Sequence, residues 1–159
     1  MPPEFRRRAV VLLGSVLTLG LAVLGPLLQP ARGGEAAPAV QVRDAWIRWL
    51  PGNLPAGGYL RLTNSGDVPL ILLGASSPEF GQVSLHRSVN RGGVMDMEPV
   101  EQLRIAPHAS LEFGSSGYHL MLMQPRSALK PGDQVPILLS FAGGQSVSVR
   151  FTVRGADAQ

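Results

Sequence analysis

The sequence predicts an all-β fold, a Greek-key β-sandwich or barrel, on three observations. At least eight short runs of Val, Leu, Ile, Thr and aromatic residues recur along the chain, separated by turn residues. The composition, 19 Gly and 14 Pro in 159 residues with 16% charged, favours turns and strands over long helices. No window carries a convincing 3.6-residue apolar period, so an α/β fold lacks its helices. The length suits one domain rather than two, and no internal repeat is evident.

The strands are read in order from Val40. Val40 to Trp49 is the first, ended by Pro51-Gly52-Asn53 and Pro55. Gly58 to Thr63 is the second, followed by the turn Asn64-Ser65-Gly66-Asp67, where Asn and Gly tolerate positive φ. Val68 to Leu73 is continuously apolar, which predicts a central strand. Gln82 to Val89 comes next, with Val83, Leu85 and Val89 on one face and Ser84, His86 and Ser88 on the other. The loop Asn90-Arg91-Gly92-Gly93 turns it back into Val94 to Glu98 as a hairpin. Leu103 to Ala106 and Ser110 to Phe113 flank a turn at Pro107-His108. Tyr118 to Met123 follows Gly114–Gly117, and Pro125 ends it. After the turn Pro131-Gly132-Asp133, Val135 to Phe141 and Ser146 to Val153 form a final hairpin.

Arg6-Arg7-Arg8 followed by the apolar run Ala9 to Leu28 reads as a signal peptide or, if retained, an N-terminal membrane anchor. Residues 1–33 form this segment, 34–39 a linker, 40–154 the folded domain and 155–159 a short tail. Either form of the leader places the domain outside the cytoplasm, in the periplasm, with membrane contact only if residues 9–28 stay attached. The net charge of +3 resembles that of a nucleic-acid binder. However, of 14 Lys/Arg and 11 Asp/Glu, Arg6, Arg7, Arg8, Arg32 and Glu4 lie within 1–33, leaving ten of each sign. The basic excess belongs to the leader, and no nucleic-acid partner is expected. The sequence has no Cys, which excludes disulfides, thiolate zinc or iron–sulfur sites, a blue-copper centre, a cysteine nucleophile and a lipid-bearing cysteine.

The chemistry concentrates in few residues. Besides Met1, the methionines are Met95, Met97, Met121 and Met123, two Met-x-Met pairs. His86 precedes the first pair and His119 opens the second. In Tyr118–Met123, alternation puts Tyr118, Leu120 and Leu122 on one face and His119, Met121 and Met123 on the other. Residues i and i+2 of a strand lie about 6.5 Å apart on one side, so His119 and Met121 can reach one ion. His86 and Met97 flank a hairpin loop and converge if their strands pair. Two imidazoles with two thioethers select a soft ion, Cu(I) or Ag(I), over Mg²⁺, Ca²⁺ and largely Zn²⁺. Only the imidazoles titrate, so affinity falls as pH drops through the histidine range. Sulfoxide formation at a ligand Met would weaken the site.

The spacing His86-x10-Met97-x21-His119-x-Met121 resembles that of the PCu(A)C periplasmic copper chaperones. Ala45-Trp46-Ile47-Arg48, Gly58-Tyr59-Leu60, Leu62-Thr63-Asn64 and Gly117–Met123 also resemble that family's segments, so the likeness runs from about Val40 to Val153. It implies a cupredoxin-like sandwich that holds one Cu(I) per domain through His86, Met97, His119 and Met121. It also implies delivery to an acceptor protein, usually the dinuclear copper centre of a terminal cytochrome oxidase. The chain departs from the pattern in having Arg87-Ser88 where many members have Glu-Met, and Leu70 where many have an acidic residue. It ends at Gln159 without the Met/His-rich tail of some members, so a single site is expected.

Met95 and Met123 are open to shielding the ion, alternate ligation or packing. His108 reads as a solvated loop residue, Trp46 as core and Trp49 as nearer the surface. No Ser/His/Asp ordering, carboxylate pair or phosphate-binding loop suggests an enzyme. The alternative to a copper carrier is an Ig-like envelope assembly module in which Met and His merely pack.

Overall fold

The computed structural model describes residues 39–52 and 54–158. The leader read at 1–33 and the linker at 34–39, apart from Ala39, lie outside the described residues. No described helix is long and apolar enough to cross a membrane.

Ten strands make up more than half of the described chain: β1 Val40–Arg48, β2 Ala56–Asn64, β3 Leu70–Ser76, β4 Phe80–Arg91, β5 Val94–Pro99, β6 Leu103–Ile105, β7 Ser110–Glu112, β8 Tyr118–Pro125, β9 Gln134–Phe141 and β10 Ser146–Arg154. Each lies where a strand was expected, with ends moved by a residue or a few. Their order is β5-β4-β8-β2-β1-β10-β9-β3-β6, and β7 pairs with β2. The fold is a β-sandwich of cupredoxin-like type. β1 is its seam. It runs antiparallel to β2 and parallel to β10, which joins the first half of the chain to the last.

One apolar cluster fills the interior. Leu60 and Leu62 of β2, Leu85 of β4, and Leu120 and Leu122 of β8 meet Leu72 of β3, Ile137 and Leu139 of β9, and Phe151 and Val153 of β10. Each such side chain taken out of water contributes about 1.5–3 kcal/mol. Among the buried polar residues, Asn64 is buried completely. Its Nδ2 donates to the carbonyls of Val68, Ile105 and Ala106, and its Oδ1 accepts from Gly66 N. Neither Asn64 nor Gly66 uses the positive φ the sequence allowed. The Asn side chain does the work instead, bonding the turn to the β6 end.

Two expectations are corrected. β3 is not central: it lies between β9 and β6, next to the end of the order, and Val68 and Leu73 are 67% and 49% exposed. An apolar run reports burial on average, whereas sheet position is set by distant partners. The tryptophans also exchange roles. Asp44 takes φ 52°, and the β1–β2 register shifts between Arg43 and Trp46. This bulge reverses the strand's parity. Ile47 then enters the core and Trp49 packs against it. Trp46 turns to the outer face and packs against Tyr59, with ring centroids 4.6 Å apart and planes inclined by 39°.

Candidate metal centre

The β4–β5 hairpin and β8 carry the sequence-predicted site. Arg91 of β4 pairs with Val94 of β5, leaving Gly92 and Gly93 as a two-residue loop at φ 63° and 93°. Asn90 Oδ1 accepts from Gly93 N at 2.8 Å. Two consecutive positive φ values are what a tight hairpin of matching twist requires, and Gly supplies them without steric cost.

Register then decides which side chains meet. His86 lies directly across from His119, and Ser84 across from Met121. Ser88 lies across from Met97. Gly57 of β2 faces Met121 from the other side. Opposite residues share a face. His86, Met97, His119 and Met121 therefore all project from the outer surface, backed by Leu85, Leu120 and Leu122 in the core. The imidazoles of His86 and His119 have centroids 6.0 Å apart. His86 opposes Pro99, so Met97 is its diagonal neighbour across the hairpin, a separation of about 7–8 Å that a long side chain spans.

A cavity of about 300 Å³ opens on this face. Met97, His119 and Met121 border it, with Gly57, Tyr59 and Arg48 on its β1–β2 side. His86, across from His119, is not on the cavity wall. Met97 is 54% exposed, whereas His119 is 5% exposed. The centre thus has a buried imidazole on one side and a solvent-facing thioether on the other.

Three polar atoms of the centre lack partners among the described residues. His86 Nδ1, His119 Nε2 and Ser84 Oγ are buried without a hydrogen bond, which costs free energy unless something binds there. In the neutral ring of His119 the free atom is a lone pair. Its Nδ1 lies 3.3 Å from the Gly117 carbonyl, and a carbonyl only accepts, so Nδ1 carries the proton and Nε2 is left basic. The Gly114–Gly117 loop that holds this imidazole is itself tied down: Ser88 Oγ donates to Ser115 O at 2.9 Å, and Ser88 N to Gly117 O at 3.0 Å. Burial, and secondarily the neighbouring His119, lowers the pKa of His86 from its ordinary 6.5. Both influences oppose a positive charge and keep the ring in the form that ligates.

The methionine pairs divide. Met123, opposite Gln82, borders a different hollow with Pro55, Gln124 and Pro125. Met95 is 50% exposed and sits opposite Asn90, towards the hairpin tip. Neither borders the cavity of Met97 and Met121. His108 is exposed at φ 56° and bonds Asp67 Oδ1 at 3.0 Å, away from this face.

Sequence reasoning passed over Tyr59. It lies flat along the sheet: a Cβ on Gly57 would come within 2.5 Å of its hydroxyl oxygen. Only Gly therefore fits beneath the ring that walls the cavity. The parity of Gly57 and Tyr59 against buried Leu60 and Leu62 was the available signal. Ser84 was placed on the His86 face but given no role.

Comparison with known proteins places the chain in a family. Residues 40–153 match the family described as "Putative lipoprotein LpqE-like". "Putative lipoprotein Lxx21020" of Leifsonia xyli subsp. xyli (strain CTCB07) is 28% identical over 122 residues, covering 76% of this chain and 73% of that protein. The solution structure of CuI-DR1885 from Deinococcus radiodurans is 31% identical, with a TM-score of 0.62, over 77% of this chain and 83% of that one. The copper-bound PCuAC domain from PmoF2 has the same fold, with a TM-score of 0.63 at 21% identity over 76% of this chain and 96% of that one. The match across nearly the whole described domain, with the identity to DR1885, makes this chain a member of the LpqE-like family, that of the PCuAC copper-binding domains.

Proposed function

We propose that this chain is an exported Cu(I) carrier rather than an enzyme. It holds one ion per domain through His86, Met97, His119 and Met121, and hands it to an acceptor protein, a copper-bearing subunit of a terminal cytochrome oxidase. The observation that carries the reading is the convergence of two imidazoles with buried, unpartnered nitrogens and two thioethers on one sheet face. Neutral sulfur and nitrogen donors suit a soft monovalent ion, and the cavity bordered by Met97, His119 and Met121 is lined by no carboxylate that would favour a hard one. The Cu(I)-bound relative from Deinococcus radiodurans supports the same cargo. Copper here is freight, not a resident catalyst. A site with one ligand at the surface releases its ion by exchanging that ligand for one from the acceptor. The leader at residues 1–33, cleaved or retained, places the exchange in the periplasm.

Competition of the reduced protein against a chromogenic Cu(I) chelator tests this. One equivalent of Cu(I) is expected to bind. Met97→Ala with Met121→Ala is expected to weaken binding by more than about 100-fold, beyond what is usual for groups that merely support ligands, while the fold persists by far-UV circular dichroism. Wild-type affinity in the double variant refutes the ligand set. Absence of Cu(I) uptake by the wild type refutes the carrier reading and leaves an envelope assembly module.

A further inference from the structure

The face that carries the cavity continues across β1 into a second, charged region. Trp46, Tyr59, Arg48 and Arg154 share it: Trp46 pairs with Tyr59 and with Thr152, and Arg48 pairs with Gly57 and with Arg154. The Arg48 guanidinium lies over Tyr59 at 5.2 Å and over Trp46 at 5.7 Å, and that of Arg154 covers Trp46 at 4.8 Å. A hollow of about 560 Å³ follows this platform and shares Arg48, Tyr59 and Ser115 with the metal cavity. The two hollows are therefore neighbours separated by one wall.

Among the described residues, no carboxylate compensates the charge of the platform. Glu112 borders the second hollow but is engaged by Arg61 at 3.3 Å, and Arg61 also faces Asp44 at 3.9 Å. Among the described residues, Arg48 and Arg154 form no ion pair with a carboxylate; Asp157, beside the tail residue Ala158, pairs with neither. Arg48 is held in place by its Nε, which donates to Ala158 O at 3.1 Å, and by the rings beneath it. A guanidinium stacked and anchored in this way keeps its terminal N–H groups free and has already lost much of its rotamer freedom, which favours bidentate binding of a carboxylate.

We infer that the Trp46–Arg48–Arg154 platform is the docking surface for an acidic segment of the protein that exchanges copper with this chain. The inference rests on the cavity being the Cu(I) site. A partner strand or loop that offers a ligand beside Met97 must lie across this face, and its flanks then run over the platform. Carboxylates there meet two guanidiniums that no carboxylate among the described residues engages. Such complementarity raises the encounter rate and fixes register more than it deepens affinity, which suits transfer followed by release.

The test uses the full chain loaded with Cu(I) and two synthetic peptides that share one Met/His copper-binding segment, one with Asp/Glu flanks and one with Lys flanks. At low ionic strength the acidic peptide is expected to take copper faster by about tenfold, and salt is expected to erase the advantage. Arg154→Glu, an exposed position outside the metal cavity, is expected to abolish or reverse the preference while Cu(I) affinity against the chelator stays at the wild-type value. Equal rates for the two peptides, or a preference that survives in Arg154→Glu, overturn the inference. So does binding of wild type but not Arg154→Glu to phosphatidylglycerol vesicles with both peptides served alike, because the platform then reads lipid. A wild-type chain that takes up no Cu(I) in the chelator competition defeats the carrier reading itself, an outcome visible before any peptide is added.

Discussion

β8 and β5 each present a Met-x-Met pair on the same sheet face, yet they are built differently. β8 runs between β4 and β2, and Leu120 and Leu122 pin its inner side in the core at 0% and 1% exposure. β5 ends the strand order, with Val94, Met95 and Met97 half to two-thirds exposed. It is held by pairing with β4 alone and by rim charges, Arg87 with Glu98 and Arg91 with Glu98 and Asp96. Exposed pairs of this kind contribute little. One half of the centre is thus fixed by the hydrophobic core and the other hangs on an edge hairpin. The proposed carrier role calls for both: a rigid half to define the ion's place, and an accessible half to yield to a competing ligand.

Substitutions that act on one half and spare the other test this contrast. The largest effect belongs to the anchored side: Leu120→Ala is expected to destabilise the apo-protein by about 3 kcal/mol through lost transfer energy and a residual cavity, measured by urea unfolding. A cost near zero would mean that β8 is not fixed by its inner face. Next comes Gly57→Ala. The added Cβ collides with the Tyr59 ring, so a loss of about 1–3 kcal/mol is expected, with a changed near-UV circular dichroism signal from the Trp46–Tyr59 pair. An unaltered spectrum would place the ring elsewhere. On the edge hairpin, Met97→Ala is expected to change stability by less than about 0.5 kcal/mol, as surface substitutions do, while lowering Cu(I) affinity. A large stability loss would make Met97 packing rather than ligand.

The smallest effect is in pH. Because the folded-state pKa of His86 lies below its ordinary 6.5, the unfolded chain binds more protons between those two values. Apo-protein stability then rises with pH through that window, and its share from His86 is lost as pH falls from 6.5 to the lowered pKa. Proton competition at His86 sets in only below the usual histidine range. Titration of the His86 ring protons by nuclear magnetic resonance checks this; a midpoint at or above 6.5 would contradict it.

Strand positions were legible because alternation and turn residues are local. The His86 face of β4, the His119 face of β8 and the hairpin at Gly92-Gly93 follow from a few neighbours each. The exchange of Trp46 and Trp49 was not legible, since one residue at φ 52° inverted the parity of everything after it and nothing in Asp44 announces that. Nor was the outlying position of β3, nor the role of Tyr59, which depends on a missing Cβ beneath its ring.

By itself the sequence determined the alphabet of this protein: an all-β chain without cysteine, with its thioethers and two imidazoles set at spacings that strands can bring to one side. These are properties of side-chain chemistry and a two-residue period, and they survive any pairing scheme. Only the tertiary structure decided which strands adjoin. It set His119 across from His86, separated Met123 and Met95 from the cavity, and laid a cationic aromatic platform beside it. Those outcomes depend on register and on contacts between residues far apart in the chain, which the burial of one shared core selects and no local pattern encodes.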